Sequence, residues 1–366
     1  MGKKVLMEGS QAICEAAVRA GCRFYAAYPI QPNTALLEQM SRRMPDVGGV
    51  CMNAESELEA INMVWGAAST GTRSLCSSTG TAVSLMQESM AEMANAGIPY
   101  VFIHMARGQS EYFQATRGGG HSDYRYIVLA PHTVQEAVDL IQEAFYLSDL
   151  FQHPVLVQAD YILGHTVEPV EFKGEGEGEL PPKTWAIRGA KGRPPRVMSF
   201  ISGGIALGER TASYGRLLER SADTNAYIQE HLKPRVETGF LDDAELAVAA
   251  FGFAGRFTKY AVKLAREQGM KVGYIRPITL WPFPMAAVAN AARKVKAIAV
   301  FETNAGQMIE DVRLAVEGSV PVHFIGRIST DDSGFGVGDA VYAENILAGI
   351  KRVYEGLKQP ASRRRR

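Results

Sequence analysis

The sequence predicts an α/β protein whose mostly parallel sheet is covered by helices on both faces. Over residues 1 to about 170, short apolar runs alternate with amphipathic runs, a pattern typical of strands joined by helices. Polar stretches directly follow four of the predicted strands, and parallel sheets bind ligands beyond the carboxyl ends of their strands. The alternation resumes near Leu246, which indicates a second, smaller α/β region.

The first region contains seven predicted strands, each a short apolar run. They cover residues 5–7, 24–30, 49–52, 74–77, 100–105, 127–130 and 155–158. Between them, apolar residues recur every three or four positions, which favours amphipathic helices. These helices are predicted at about 12–21, 36–40, 57–68, 81–96 and 134–147.

Residues 171–240 interrupt this alternation. Repeated Gly-Glu pairs at 174–179, followed by two prolines, are typical of a linker, and a polar helix is predicted over about 206–232. The chain therefore divides into regions 1–170, 171–240 and 241–366. In the last region, strands are predicted at 246–251, 272–277, 297–301 and 322–325, with a final helix near 345–357.

Composition excludes several classes of function. The 366 residues include 39 basic and 39 acidic side chains, so the net charge of zero gives no nucleic-acid footprint. No apolar run is long enough to cross a membrane and no signal-peptide core precedes the first strand, so we expect a cytoplasmic protein. The arginines at 363–366 are typical of a solvated terminus. Widely spaced reduced core thiols are expected, with no disulfide and no cysteine-ligated cluster on this chain alone: Cys14, Cys22, Cys51 and Cys76.

Three carboxylates stand within five residues at a predicted helix start: Glu55, Glu57 and Glu59. Acidic side chains are favoured there by the helix dipole and the free backbone amides, so a solvated first turn is one interpretation. The alternative is that the Glu57 side chain enters a cleft and shares a proton with a nitrogen heterocycle. The stretch alone leaves both open.

Three further strand ends allow a structural and a functional interpretation. Residues 28–34 hold two prolines, which form either a rigid turn or a preformed wall for a ligand. Residues 77–81 open a helix and give either a plain N-cap or a close approach of a ligand to backbone amides. Arg107 is either structural or binds a carboxylate in bidentate fashion.

The loop over residues 117–124 contains three consecutive glycines, which favour a mobile lid. His121 lies in it, but no histidine or cysteine stands at the spacing of a second metal ligand. No metal site is therefore predicted on this chain.

Several motifs together resemble one family. The matching runs are Tyr28-Pro29-Ile30-x-Pro32, Ser56-Glu57 followed after eight residues by Gly66-Ala67-Ala68, Ser78-x-Gly80, Ala106-Arg107-Gly108, the run Gly-Gly-Gly-His-Ser-Asp-Tyr-Arg at 118–125, the run Arg-Pro-Ile-Thr-Leu-Trp-Pro-Phe-Pro at 276–284, and Glu-Thr-Asn-x-Gly-Gln-Met at 302–308. Nearly end to end, the chain resembles the subunit of thiamine-diphosphate-dependent 2-oxoacid:ferredoxin oxidoreductases that contains the pyrimidine-binding domain. The glycine-rich run and the 276–284 run are most similar to members that act on branched-chain 2-oxoacids.

The resemblance implies a pyrimidine-binding domain over 1–170 and a transketolase C-terminal-like domain over 241–366. It implies that Glu57 is catalytic, binding the pyrimidine N1′ and promoting the imino tautomer that deprotonates the thiazolium carbon. Arg107 would pair with the substrate carboxylate. The other implied contacts are Ser78, Thr79 and Gly80 to the cofactor and Gln31, Pro29 and Ile30 to the substrate.

The resemblance also implies partner subunits. This chain has no Gly-Asp-Gly motif, which in the family holds the diphosphate through Mg²⁺, and Gly338-Asp339-Ala340 is its nearest approach. Thiamine diphosphate and Mg²⁺ would therefore be shared with a partner subunit, and [4Fe-4S] clusters would lie on partners that include a gamma-type and a ferredoxin-like subunit. Neither nucleic acid nor membrane is expected as a partner.

The implied reaction is the oxidative decarboxylation of a branched-chain or aryl 2-oxoacid with coenzyme A, giving acyl-CoA, CO2 and reduced ferredoxin, as in anaerobic metabolism. Two departures from the family pattern concern the substrate: Gln31 stands where threonine is usual, and the loop 331–339 replaces the usual glycine-proline pattern. The alternatives are a phenylglyoxylate-type dehydrogenase with NAD as final acceptor, a thiamine decarboxylase or synthase without electron transfer, and a non-catalytic scaffold.

Overall fold

The structure, a computed structural model, describes residues 4–172, 180–189, 213–332 and 337–359. Contacts divide the chain into two compact units. The first unit comprises residues 1–106, 114–129 and 134–233, and the second comprises 107–113, 130–133 and 234–366. Two short segments from within the 1–170 region thus belong by their contacts to the second unit, while the domain boundaries at 170 and 240 stay predictions.

The elements up to residue 233 alternate as the sequence indicates. The strands are β1 Val5–Glu8, β2 Phe24–Ala27, β3 Val50–Asn53, β4 Ser74–Ser78, β5 Val101–Ala106, β6 Ile127–Leu129, β7 Val155–Asp160 and β8 Val167–Val170. The helices are α1 Gly9–Arg19, α2 Thr34–Arg43, α3 Glu57–Ser69, α4 Gly80–Ala96, α5 Tyr112–Thr116, α6 Val134–Phe151, α7 Tyr161–His165 and α8 Ser213–His231. Every residue of β4, β5 and β7 is buried, as expected for central strands of a sheet covered on both faces.

The strands of the first unit's main sheet run parallel in the order β6-β7-β5-β4-β2-β3. From β2 the chain moves outward to β3, then returns past β2 to β4 and continues in the opposite direction. The strand order therefore reverses between β2 and β4. In parallel sheets, such a reversal opens a crevice at the carboxyl ends of the two strands, where ligands bind.

The first predicted strand forms but lies outside this sheet. β1 pairs antiparallel with β8, with Val5 opposite Val170. β8 is not among the predicted strands, because it is short and partly exposed and therefore gives little apolar signal. The helices α5 and α7 were missed as well, because five-residue helices show almost no periodicity.

The second unit contains a five-stranded sheet in the order β14-β13-β10-β11-β9, in which only β9 runs antiparallel. Its strands are β9 Val236–Gly239, β10 Leu246–Ala249, β11 Val272–Pro277, β13 Ala297–Val300 and β14 Val322–Phe324, and β12 is Thr279–Trp281. Its helices are α9 Gly252–Glu267, α10 Met285–Ala292, α11 Met308–Val316 and α12 Ala343–Lys358. The predicted α/β class with parallel sheets is confirmed.

Several sequence-based expectations concern residues outside the described ranges. These are the Gly-Glu run at 174–179, the first part of the predicted helix 206–232, the middle of the loop 331–339 and the tail 363–366. None of the helices in the described part of the chain is long and apolar enough to cross a membrane.

Candidate functional site

The loops after β2 and β4 lie on either side of the point where the strand order reverses. Two hydrogen bonds join these parts of the chain: the hydroxyl of Tyr25 in β2 lies 2.6 Å from Oγ of Ser77 in β4, and Nδ2 of Asn33, in the loop after β2, donates to the Ser77 carbonyl at 3.2 Å. All of these polar groups are buried. The crevice therefore has a fixed floor to which two strands contribute.

Residues 28–33 form the wall on the β2 side. Pro29 and Gln31 are exposed and Ile30 is half-buried. The Asn33 N–H donates to the Ile30 carbonyl at 2.8 Å and closes a turn directly before α2. The Gln31–Pro32 peptide bond is cis. The three residues expected to contact substrate thus lie together on a compact turn beside the crevice.

Ser78, Thr79 and Gly80 form the wall on the β4 side and are buried. Ser78 Oγ and Thr79 Oγ1 make no hydrogen bond with any residue that the structure describes. Gly80 begins α4 at a φ of 23° and its N–H donates to His104 Nε2 at 3.0 Å. Burial lowers the pKa of His104 to about 4, so the imidazole is neutral and can accept this bond.

Glu57 is the first residue of α3, on the loop after β3, which is the neighbour of β2 in the sheet. Ser56 caps this helix, accepting a hydrogen bond from the Glu59 N–H at 3.4 Å. Glu55 and Glu59 are exposed, whereas Glu57 is only 8% exposed. Within the described residues, the Glu57 side chain has no hydrogen bond or ion pair.

Arg107 directly follows β5, and its segment belongs by its contacts to the second unit. The side chain is half-buried. Burial raises the pKa of the Glu111 carboxyl in the same segment, and the charge of Arg107 opposes this rise. The structure thus brings seven of the eight expected site residues together at one edge of the first unit's sheet and assigns Arg107 to the other unit.

The glycine-rich loop is packed against α4. Gln87 Oε1 accepts hydrogen bonds from the Gly119 N–H at 2.8 Å and from the Tyr124 hydroxyl at 2.5 Å. A Cβ on Gly120 would lie 2.6 Å from the Gln87 carbonyl oxygen and from the Ala91 methyl, so the glycine permits a close approach. The expectation of a lid rested on glycine flexibility alone, and the structure gives these glycines a packing role.

His121 in this loop lies 2.6 Å from Ser122 Oγ through Nδ1 and 3.6 Å from Glu92 Oε1 through Nε2. Among the described residues, no group of three or more histidine, cysteine, aspartate or glutamate side chains could hold a metal ion.

Asn33 and His104 complete the crevice and were not among the site residues expected from the sequence. Asn33 Oδ1 is buried without a hydrogen-bond partner in the described ranges, like Ser78 Oγ and Thr79 Oγ1. A histidine inside an otherwise apolar predicted strand was the signal that could have identified His104, which the structure pairs with Ser78 on the neighbouring strand.

The polar groups at this edge fit an aminopyrimidine ring. Such a ring has both donors and acceptors, and the available partners are one buried carboxylate, two hydroxyls and an amide oxygen. Burying these groups without a hydrogen bond costs about 1–3 kcal/mol each, which a ligand that pairs with them would recover. The hydrogen-bonding groups of Glu57, Ser78, Thr79 and Asn33 are therefore suited to the pyrimidine half of thiamine diphosphate.

Comparison with known families gives two matches. The family described as "Pyruvate flavodoxin/ferredoxin oxidoreductase, thiamine diP-bdg" matches residues 15–203, and "Pyruvate:ferredoxin oxidoreductase core domain II" matches residues 244–334. The first covers the crevice, and the second covers four of the five strands of the second unit's sheet, all but β9.

Similar proteins agree with these matches. The chain is 34% identical to the ketoisovalerate oxidoreductase subunit VorB of Methanothermobacter marburgensis over 95% of this chain and 97% of the relative. It is 31% identical to the 2-oxoglutarate synthase subunit KorA of Methanothermobacter thermautotrophicus over 90% of this chain and 95% of that one. A solved 2-oxoglutarate:ferredoxin oxidoreductase from Magnetococcus marinus has the same fold, with a TM-score of 0.79 at 23% identity, and the match covers 96% of this chain and 65% of that chain. The chain therefore belongs to the thiamine-diphosphate-binding subunits of the hetero-oligomeric 2-oxoacid:ferredoxin oxidoreductase family.

Proposed function

We propose that this chain is one subunit of a complex that oxidatively decarboxylates a branched-chain or aryl 2-oxoacid with coenzyme A. The products are acyl-CoA and CO2, and the electron pair passes through iron–sulfur clusters to ferredoxin. The 34% identity to a subunit whose name specifies ketoisovalerate supports a branched-chain substrate. The proposal rests on one observation: the Glu57 carboxylate at the edge of the sheet is buried and has no hydrogen bond or ion pair with any residue that the structure describes.

Glu57 would hold a proton between its carboxylate and the pyrimidine N1′. Bound thiamine diphosphate supplies a carbon nucleophile and an electron sink for decarboxylation. A carboxylate can exchange a proton with a ring nitrogen, and a buried position strengthens that interaction because water is excluded.

Ser78, Thr79 and Asn33 would orient the ring. Their unpaired oxygens are held by rigid neighbours: Asn33 Nδ2 binds the Ser77 carbonyl, and the Gly80 N–H binds His104. A wall that is fixed before binding loses little conformational freedom when the ligand arrives.

Arg107 would pair with the substrate carboxylate, because a guanidinium binds a carboxylate through two parallel hydrogen bonds. Gln31 would donate to the same carboxylate or to the keto oxygen, and Pro29 and Ile30 would contact the substrate from the turn after β2. Gln31 is exposed on this turn, which supports a contact with a bound molecule rather than with the protein core.

Partner subunits would complete the site. One would hold the diphosphate through Mg²⁺, since the Gly-Asp-Gly motif is missing from this sequence. The iron–sulfur clusters would lie on gamma-type and ferredoxin-like subunits. Burial raises the pKa of Cys14 and Cys22 to about 12 and that of Cys51 to about 11, so these thiols are protonated and poor cluster ligands. We expect the complex in the cytoplasm.

The test is a co-expressed complex purified under anoxic conditions. Acyl-CoA formation is measured with 2-oxoisovalerate, 2-oxoglutarate and phenylglyoxylate, each with ferredoxin and with NAD as acceptor, and the bound thiamine diphosphate is quantified. Ferredoxin-dependent turnover of 2-oxoisovalerate supports the proposal. Turnover of phenylglyoxylate with NAD favours the aryl dehydrogenase. A complex without cofactor and without turnover would be a scaffold.

A further inference from the structure

The segment 107–113 is held by the second unit through a dense set of hydrogen bonds. Gln307 contributes two of them: Nε2 donates to the Ser110 carbonyl at 2.6 Å, and Oε1 accepts from the Phe113 N–H at 2.8 Å. The Tyr112 hydroxyl donates to Asp311 Oδ2 at 2.5 Å. Although the segment follows β5 in the chain, its conformation is thus determined by residues almost 200 positions further on.

Gln109 is the central anchor of the segment and is only 2% exposed. Its Nε2 donates to the Phe251 carbonyl at 3.0 Å, and its Oε1 accepts from the Thr303 N–H at 3.1 Å. Both ends of the side-chain amide are therefore paired with backbone groups. Such a pair of bonds fixes the position and the orientation of the residue that makes them.

Asn304 holds the backbone of the same residue. Its Nδ2 donates to the Gln109 carbonyl at 2.8 Å and to Glu302 Oε2 at 3.0 Å, while its Oδ1 accepts from the Gly306 N–H at 2.7 Å. Asn304 is also 2% exposed. Side chain and carbonyl of Gln109 are both fixed, so little rotation remains two residues after Arg107.

We propose that Gln109 and Asn304 are positioning residues that set the affinity for the 2-oxoacid by fixing the backbone next to Arg107. The inference rests on the proposed role of Arg107 in binding the substrate carboxylate. A bidentate guanidinium–carboxylate contact requires alignment of two planar groups, so a shift of the backbone next to Arg107 would weaken the binding of the substrate carboxylate.

The experiment is a double-mutant cycle in the assembled complex, with the 2-oxoacid that the wild-type complex turns over. Gln109→Met keeps the length of the side chain and removes both hydrogen bonds. We expect it to raise the KM for the 2-oxoacid at least roughly fivefold, with kcat changed less than about twofold and thiamine diphosphate content unchanged. In an Arg107→Ala background the same substitution should change KM less than about twofold, because Gln109 acts through Arg107.

Two further variants distinguish an effect on the position of the segment from a general loss of stability. Gln307→Met removes the bonds to Ser110 and Phe113 and should raise KM in the same direction by a smaller factor, including where Gln109→Met fails to assemble. Val312→Ala creates a cavity at a buried position of α11 and removes no hydrogen bond to the segment, so it should lower the melting temperature without changing KM.

An unchanged KM in both glutamine variants would overturn the inference. An equal rise of KM with and without Arg107 would overturn it too, because Gln109 would then act independently. A wild-type complex that turns over no 2-oxoacid would instead refute the proposed function, so the two failures are distinguishable.

Discussion

Two buried glutamates near helix starts, Glu57 in the first unit and Glu302 in the second, have opposite surroundings. Glu302 is 0% exposed and precedes α11. Its carboxylate accepts from the Met308 N–H at 2.7 Å, from the Ile309 N–H at 3.0 Å and from Asn304 Nδ2 at 3.0 Å. Glu57 is 8% exposed and has no such partner in the part of the chain that the structure describes.

This difference between Glu57 and Glu302 shows that burial of an acidic group does not by itself indicate a functional site. Both residues are acidic, buried and close to the positive end of a helix dipole. Burial raises the pKa of the Glu302 carboxyl, and its hydrogen bonds oppose this rise. Glu302 uses its lone pairs to cap α11, whereas those of Glu57 remain available to a ligand. Glu57 and Glu302 differ in whether their carboxylate oxygens already accept hydrogen bonds from the protein.

The largest effect is expected from Glu57→Gln. The amide preserves the size of the side chain but cannot exchange a proton with the pyrimidine N1′ as a carboxylate does. Acid–base contributions of this kind amount to about 10²–10⁴-fold, so turnover by the complex should fall at least roughly a hundredfold. The free energy of unfolding should change by at most about 1 kcal/mol, because no protein hydrogen bond is lost.

Glu55→Gln and Glu59→Gln are the matched controls, since these exposed carboxylates share the same helix start. The catalytic role of Glu57 is refuted if Glu57→Gln lowers turnover no more than either control does. In that case Glu57 is merely part of a charged first turn.

Glu302→Gln should have the reverse profile. The glutamine NH2 group would face backbone N–H donors that now bind a carboxylate oxygen. Hydrogen bonds to charged groups contribute about 1.5–3 kcal/mol each, so we expect a loss of about 2–4 kcal/mol in the stability of the second unit. Urea unfolding followed by tryptophan fluorescence measures it. A stability equal to that of wild type would show that the carboxylate is not the cap of α11.

A similar contrast, with effects of moderate size on KM and on stability, is expected between an arginine that binds substrate and one that is structural. Arg107→Ala should raise the KM for the 2-oxoacid at least roughly tenfold, because an arginine–carboxylate contact in a dry pocket contributes about 1.5–3 kcal/mol. Arg276 lies buried in β11, where its Nε donates to Glu237 Oε2 at 2.7 Å. Arg276→Ala should therefore reduce stability and leave KM unchanged. Steady-state kinetics measure the KM of both variants, and thermal melts measure their stability. The assignment of Arg107 to the substrate carboxylate fails if the KM of Arg107→Ala stays at the wild-type value.

The smallest effect is expected from Gln31→Thr on the exposed turn after β2. The shorter side chain reaches less far towards a bound substrate, so the order of preference among 2-oxoacids should change while stability does not. Relative kcat/KM values for 2-oxoisovalerate, 2-oxoglutarate and phenylglyoxylate measure this order. An identical order in the variant would remove Gln31 from the substrate site.

Much of the architecture could be predicted because its signals are local. Apolar runs located the central strands, and the strand 272–277 was predicted with the bounds that β11 has. The start of α3 at Glu57 followed from an acidic first turn that opens an apolar helical periodicity. The exposed β8 and the five-residue helices were not predicted, because so few residues give no periodicity. The sequence alone also could not show that β1 lies outside the main sheet.

The sequence by itself determined the α/β class, the family and the polar residues that end the strands, since each depends on neighbours in the chain or on a contiguous motif. Only the tertiary structure decided which of these residues meet. The order β3-β2-β4 places the loops of Glu57, Gln31 and Ser78 at one edge. Contacts such as the one between Gln109 and Thr303, 194 positions apart, join the segment of Arg107 to the second unit. Contacts between residues so far apart in the sequence depend on how the whole chain packs, and a local sequence pattern cannot predict them.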